Sequence, residues 1–154
     1  MAMKDGTFLV THVDEESAVV QDVADGQVHT LAECDDFAVG EVLDATLEPE
    51  PPMEVTWRIA EESRRRTIPV EHSEEPPTQQ ARDLAADQQV GDLTTRERAG
   101  EGEVHVLTVP ADQTADAAEE IVEDEETRAR AARLDVAHVE VRAADGVVSV
   151  RYLP

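Results

Sequence analysis

Three short runs decide the fold of the first half: Thr7-Phe-Leu-Val-Thr-His-Val13, Ala18-Val-Val-Gln-Asp-Val23 and Gln27-Val-His-Thr-Leu-Ala32. Each is rich in β-branched residues, and the polar stretches Asp14-Glu-Glu-Ser17 and Ala24-Asp-Gly26 separate them, which is the pattern of an antiparallel sheet. Asp25-Gly26 is the sharpest local signal, because a two-residue type I′ turn needs positive φ and glycine supplies it without steric cost. Glu41 to Glu48 reads as a fourth strand with Leu43, Ala45 and Leu47 on one face. After the extended connection Glu48-Pro-Glu-Pro-Pro52, Val55, Trp57 and Ile59 are expected to alternate inward on a fifth strand, and Thr67 to Glu71 is expected to add a sixth. Five or six short strands at this spacing cannot hide an apolar face as a flat sheet, so closure into a small SH3-like or OB-like antiparallel barrel is expected over residues 1–72.

Ser73-Glu-Glu-Pro-Pro77 suits neither a helix interior nor a central strand, so residues 73–78 read as a linker. From residue 79 to 154 the rhythm changes. Thr78 is placed to cap a helix running to about Gln89, with Gly91 to stop it. Asp92 to Arg98 and Glu103 to Val109 read as two strands joined by Ala99-Gly-Glu-Gly102. The alternative is a helical turn with Thr94 and Glu97 as a capping box. Helices over Thr114 to Glu123 and Thr127 to Leu134 follow, then a hairpin, Ala137 to Arg142 and Val147 to Leu153, around Ala143-Ala-Asp-Gly146. The expected whole is α+β: a barrel, then a domain with helices on one face of a mostly antiparallel sheet.

Charge describes the solvent. Thirty-six Asp and Glu face thirteen Lys and Arg, a net −23, and Lys4 is the one lysine. The acids are spread over both halves of the chain rather than gathered in a tail. Self-repulsion on this scale opposes a compact state in dilute buffer, but at 1 M salt the screening length falls to about 3 Å. An extreme halophile, with high K+ as the working solvent, is the expected source. Only 3% of residues are aromatic, so the core has to be built from Val, Leu, Ile and Ala. No apolar run approaches the about 20 residues that span a bilayer, and Met1 to Gly6 is polar, so a cytoplasmic location without membrane contact is expected. Cys34 is alone, which excludes an intrachain disulfide and reads as a small, partly buried side chain.

No set of residues organises a catalyst. Paired carboxylates arise by chance in so acidic a chain, no Gly-x-Ser-x-Gly elbow surrounds any serine, and His138-Val-Glu140 lacks the Pro-Cys-x-x-Cys half of a zinc deaminase signature. Gly100-Glu-Gly102 lacks the lysine and following helix of a phosphate loop. No catalytic residue, cofactor or metal is expected. Two features stand against this background. Arg64-Arg65-Arg66, close after Trp57-Arg58, is a candidate nucleic-acid patch, since arginine with an aromatic supplies backbone contact and base stacking. The plainer reading has Trp57 in the core and the arginines on a solvated strand edge. His105 and His138 are a candidate pair if their strands bring them to one sheet surface, the plainer reading being two unrelated core-edge histidines.

Gly6-Thr-Phe-Leu-Val-Thr-His-Val13, Pro51-Pro-Met-Glu-Val-Thr-Trp57, Arg82-Asp-Leu-Ala-Ala-Asp87, Ala99-Gly-Glu-Gly-Glu-Val-His-Val-Leu-Thr-Val-Pro110 and Val147-Val-Ser-Val-Arg-Tyr-Leu-Pro154 together resemble an uncharacterised family of haloarchaeal proteins across nearly the whole chain. That likeness implies a halophilic source and no particular activity. Ala18 to Leu47 also resembles small bacterial and archaeal barrel domains, which implies only the barrel. The expected role is a non-enzymatic binding or adaptor protein with a protein partner or a second copy of itself. The alternative is an RNA-associated or translation-linked module using Arg58, Arg64, Arg65 and Arg66.

Overall fold

The computed structural model describes residues 3–32, 37–51, 55–97 and 102–154. Cys34, the end of the proline-rich connection and most of the turn 99–102 lie outside the described residues. The chain divides into two compact units, Met1–Ile68 with Arg128–Arg133, and Pro69–Thr127 with Leu134–Pro154.

In the first unit, β1 (Lys4–Val13), β2 (Ala18–Asp22), β3 (Val28–Leu31), β4 (Glu41–Pro49) and β5 (Trp57–Thr67) close into a barrel in the order β1-β2-β3-β5-β4. Closure comes from a short parallel contact, Leu31 against Trp57, in an otherwise antiparallel sheet. The alternation read from the sequence places Leu43, Ala45 and Leu47 inside with Phe8, Val10, Val20 and Leu31, and Phe37, Trp57 and Ile59 pack against that cluster. Burying one such aliphatic or aromatic side chain contributes about 1.5–3 kcal/mol, so these few residues carry the unit in place of the missing rings. Arg133, from the helical segment assigned to this unit, donates through Nη1 to Val23 O at 2.9 Å.

Three details differ from expectation. The sixth strand does not join the five of the barrel: β6 (Val70–His72) leaves it after Pro69 and pairs in parallel with a strand of the second sheet. Proline has no N–H to give a ladder, which makes Pro69 a natural break. Val55 does not join the inward alternation; it precedes β5 and is exposed. At Asp25-Gly26, Gly26 has φ of +78°, but the loop is longer than a two-residue turn. Gly26 N donates to Asp22 O, and Asp22 N to Gln27 O, each at 2.8 Å. The cause is side-chain competition: Asp22 Oδ1 accepts from Ala24 N at 2.8 Å and Asp25 Oδ1 from Gln27 N at 2.9 Å, drawing the backbone into a wider loop.

The second unit holds α1 (Gln79–Ala86), β7 (Leu93–Glu97), β8 (Glu103–Thr108), a 3-10 turn (Ala111–Gln113), α2 (Thr114–Glu123), the two ends of the boundary helix α3 (Glu125–Leu134) outside its Arg128–Arg133 segment, β9 (His138–Ala144) and β10 (Val147–Leu153). The sheet runs β6-β9-β10-β8-β7, antiparallel except for β6 with β9. The architecture of the chain is therefore α+β, with a closed barrel and a mostly antiparallel sheet. Thr78 caps α1 as expected, its Oγ1 accepting from Ala81 N at 3.2 Å. Over the described part of 92–98 the strand reading holds over the helical alternative, since Leu93 to Glu97 pairs with β8, and Arg98 lies outside the described residues. Asp145 and Gly146 have φ of +49° and +84° between the paired residues Ala144 and Val147. The tight turn sought at Asp25-Gly26 is found here. Ala81 and Ala85 of α1 pack on Val104, Val106 and Val147. The alternate residues Val139, Val141, Val148 and Val150 are also buried, so the sheet is covered on both faces where the pattern predicts one.

Candidate functional site

The arginine triplet lies on β5 opposite the acids of β4. Register sets Arg58 against Glu48 and Arg64 against Asp44. Ion pairs follow from it: Arg58 Nη2 to Glu48 at 3.2 Å, Arg64 Nε and Arg66 Nη1 to Asp44 Oδ2 at 3.3 and 3.2 Å, and Arg65 Nη2 to Glu62 at 2.8 Å. Arg65 also stacks over the Phe37 ring, 4.6 Å from its centroid. The four arginines share one strand, but each faces a carboxylate, so the positive charge a phosphate backbone needs is met within the barrel wall. Trp57 is partly buried against the barrel core rather than presented for stacking.

The histidines do not meet. His105 on β8 pairs with Val150, which pairs in turn with Val141 on β9, three residues from His138. An odd separation along a strand puts His105 and His138 on opposite faces of the sheet. His105 is buried edge-on to Tyr152 with ring centroids 5.0 Å apart. Among the described residues, no group of three or more His, Cys, Asp or Glu is arranged to hold a metal ion.

A cluster that sequence reasoning missed surrounds Lys4. Its Nζ lies 2.8 Å from Asp25 Oδ2, 3.3 Å from Asp22 Oδ2, 3.0 Å from Gln27 Oε1 and 3.3 Å from His29 Nε2. Asp22 and His29 are buried, and the His29 ring stands edge-on to Phe8 and Trp57. Burial pulls the Lys4 ammonium towards the neutral form, but hydrogen bonds and charge from Asp25 and Asp22 outweigh it and raise its pKa above 10.5. Burial, then the charge of Lys4, lowers His29 below 6.5 despite the two aspartates. An ammonium can only donate, so in this contact Nε2 of His29 is the acceptor. The signal was the lone lysine itself: a compact, flexible ammonium with three donors fits a convergent set of acceptors that a planar guanidinium does not. The arrangement fixes the loop between β2 and β3, and its raised lysine is no nucleophile.

On the outer barrel wall, Asp5, Thr7, Asp44, Thr46, Glu61 and Ser63 line a shallow groove of about 420 Å³. Its polar groups largely satisfy one another: Thr7 Oγ1 donates to Asp44 Oδ1 at 2.7 Å, Ser63 Oγ to Asp44 O at 3.1 Å, and Thr46 Oγ1 to Asp5.

The open chemistry is backbone. Closure of the barrel rests on the one pair Leu31–Trp57, so beyond Trp57 strand β5 is paired on one side only, and in the second sheet the strands paired on one side among the described residues are β6 and β7. β6 is three residues long and follows a proline, two devices that blunt an edge. β7 is longer and lacks both. Thr108 N donates to Asp92 O at 3.1 Å, and ladder alternation then turns Thr94 and Arg96 towards β8 and the backbone groups of Leu93 and Thr95 outward. Val90 and Leu93, 63% and 54% exposed, flank this edge with apolar surface. Nothing in the triplet or the histidines pointed to it, although its strand was legible.

A model of a family of unknown function, DUF5812, matches residues 4–143, which takes in the barrel and most of the second sheet. The chain belongs to this family. No curated protein and no solved structure matches it. For this DUF5812 member, no helix among the described residues is long and apolar enough to cross a membrane.

Proposed function

We propose that this protein is a non-enzymatic binding or adaptor protein, adapted to concentrated salt in the cytoplasm of a halophilic archaeon, that takes an extended segment of a partner protein onto the edge of β7. The observation that supports this reading is the open ladder of Leu93 and Thr95 beside exposed Val90 and Leu93. Strand addition uses such a ladder for affinity and neighbouring side chains for selectivity. A net charge of −23 favours a neutral or basic partner over a second copy of the chain.

Thr95→Pro separates binding from folding. Its amide faces outward, so proline removes a donor from the docking edge and not from the pairing with β8. Affinity capture at molar KCl is expected to recover a partner with the native chain and to lose it, by about tenfold or more, with T95P, while the thermal melt moves little. Equal recovery by both proteins would reject the β7 edge. A dimer of the pure native protein in sedimentation, absent in T95P, would make the occupant a second copy.

RNA association through Arg58, Arg64, Arg65 and Arg66 is the second reading and has weaker support, because each guanidinium already faces a carboxylate. Replacing Arg64, Arg65 and Arg66 by serine is expected to leave RNA recovery after crosslinking in high salt unchanged. A clear loss would reinstate that reading.

A further inference from the structure

On the second sheet, Glu140 of β9 stands opposite Arg151 of β10, and Arg142 lies two residues along β9, so the three side chains share one face. Glu140 Oε1 accepts from Arg142 Nε at 2.6 Å and from Arg151 Nη1 at 2.8 Å. Both arginine side chains are largely buried, 15% and 18% exposed. Two guanidiniums on one carboxylate leave an excess of one positive charge, set into a molecule of net −23. Burial works to raise Glu140, but hydrogen bonding and charge from Arg142, then Arg151, hold its carboxyl below the ordinary range. Glu140 is a fixed part of the sheet.

The remaining charge is met by a different kind of partner. Glu75 Oε2 lies 2.7 Å from Arg142 Nη2, its side chain is 68% exposed, and it comes from the segment between β6 and α1 rather than from the sheet. A small turn presents it: Ser73 N donates to Val141 O at 2.8 Å, and Glu75 N to Ser73 Oγ at 3.1 Å. Glu71, beside Glu140 on β6, is exposed. Arginine recognises planar carboxylates through paired N–H donors, and Arg151 commits one nitrogen to Glu140 among the described residues. An exposed, tethered carboxylate held to a buried arginine by one contact is readily replaced by another carboxylate.

We propose that Arg142 and Arg151 form a seat for a carboxylate group from outside the chain, and that Glu75 is a tethered stand-in displaced when that group arrives. The seat is independent of the β7 edge and of its partner. Arg142 Nε–H, shielded by its bond to Glu140, is the reporter, read in the full-length protein by 1H–15N NMR. Acetate is titrated against chloride at constant high ionic strength, where the screening length of about 3 Å mutes repulsion by the surrounding acids. In Glu75→Ala, acetate is expected to produce a saturable shift at Arg142 and Arg151, about threefold or more tighter than in the native chain. Inorganic phosphate is expected to bind more weakly than acetate. A short peptide with a free C-terminal carboxylate that saturates at lower concentration than acetate would place the source in a protein terminus, and equal affinities would place it in a small acid. Glu75→Gln, which keeps the shape of the side chain, repeats the test if the alanine variant is unstable. A linear response with no saturation in both variants, or equal acetate affinity in native and variant proteins, would overturn the proposal.

Discussion

Moving the protein from molar KCl to dilute buffer is expected to lower its melting temperature by about 10–20 °C or more, the shift that about 5 kcal/mol implies for a chain of this size. Net charge is −23 and both halves contribute to it, so neither unit has a reserve of bases with which to neutralise the other. Two like charges about 10 Å apart in water repel by about 0.4 kcal/mol, and about thirty such pairs reach about 12 kcal/mol, within the range of a whole domain's net stability. The unfolded chain carries the same charges further apart and is relieved of much of this. Molar salt shortens the reach of each charge to about 3 Å and leaves mainly the contacts at bonding distance, such as Arg64 and Arg66 on Asp44. Far-UV circular dichroism melts across a KCl series check it. Superimposable melts at high and low salt would remove the basis for a brine-adapted surface.

Lys4→Met is expected to destabilise the barrel by about 2 kcal/mol or more, because it strands the buried carboxylate of Asp22 while leaving side-chain volume nearly unchanged. Arginine should not rescue it, since four acceptors converge on one nitrogen. The cluster also predicts pH dependence on both sides of neutrality. The Lys4 pKa is raised, so its contribution is complete below 10.5 and is lost as pH rises through the higher folded value. The His29 pKa is lowered, so stability is full above 6.5 and falls as pH drops from there towards the folded value, because the unfolded imidazole takes a proton that the buried ring resists. Lys4→Met should abolish the alkaline loss and ease the acid loss, since it removes the positive charge that acts with burial to lower His29, against the two aspartates. Urea titrations of both proteins at pH values bracketing 6.5 and 10.5 measure this, and unchanged profiles would show that the cluster contributes nothing.

The strands were readable because period-two alternation follows from backbone geometry. Leu43, Ala45 and Leu47 face the barrel core as their spacing requires, and Asp145-Gly146 and Thr78 do what such residues do locally. Sequence reasoning failed where a distant partner decides. Val70 to His72 carries a strand pattern whichever sheet it joins, and its pairing with Val139 to Val141 across some seventy residues leaves no local trace. The arginine triplet was visible as charge, while its neutralisation depended on the register that sets β5 beside Asp44 and Glu48. The edge of β7 is a property of strand order, which composition does not encode. Lys4 drew notice as an oddity of composition, and its four partners are 18 to 25 residues away in the chain.

The chain holds one tryptophan and one tyrosine, and each belongs to a different compact unit. Trp57 meets the His29 imidazole edge-on in the barrel, with ring centroids 4.7 Å apart, and Tyr152 is buried in the second sheet. Intrinsic emission is therefore two-coloured: excitation selective for indole reports the barrel alone, with the nearby imidazole as a proton-sensitive quencher, and phenol emission follows the other half. Whether the halves melt together or in sequence as brine is diluted becomes a single cuvette measurement on the unlabelled native chain.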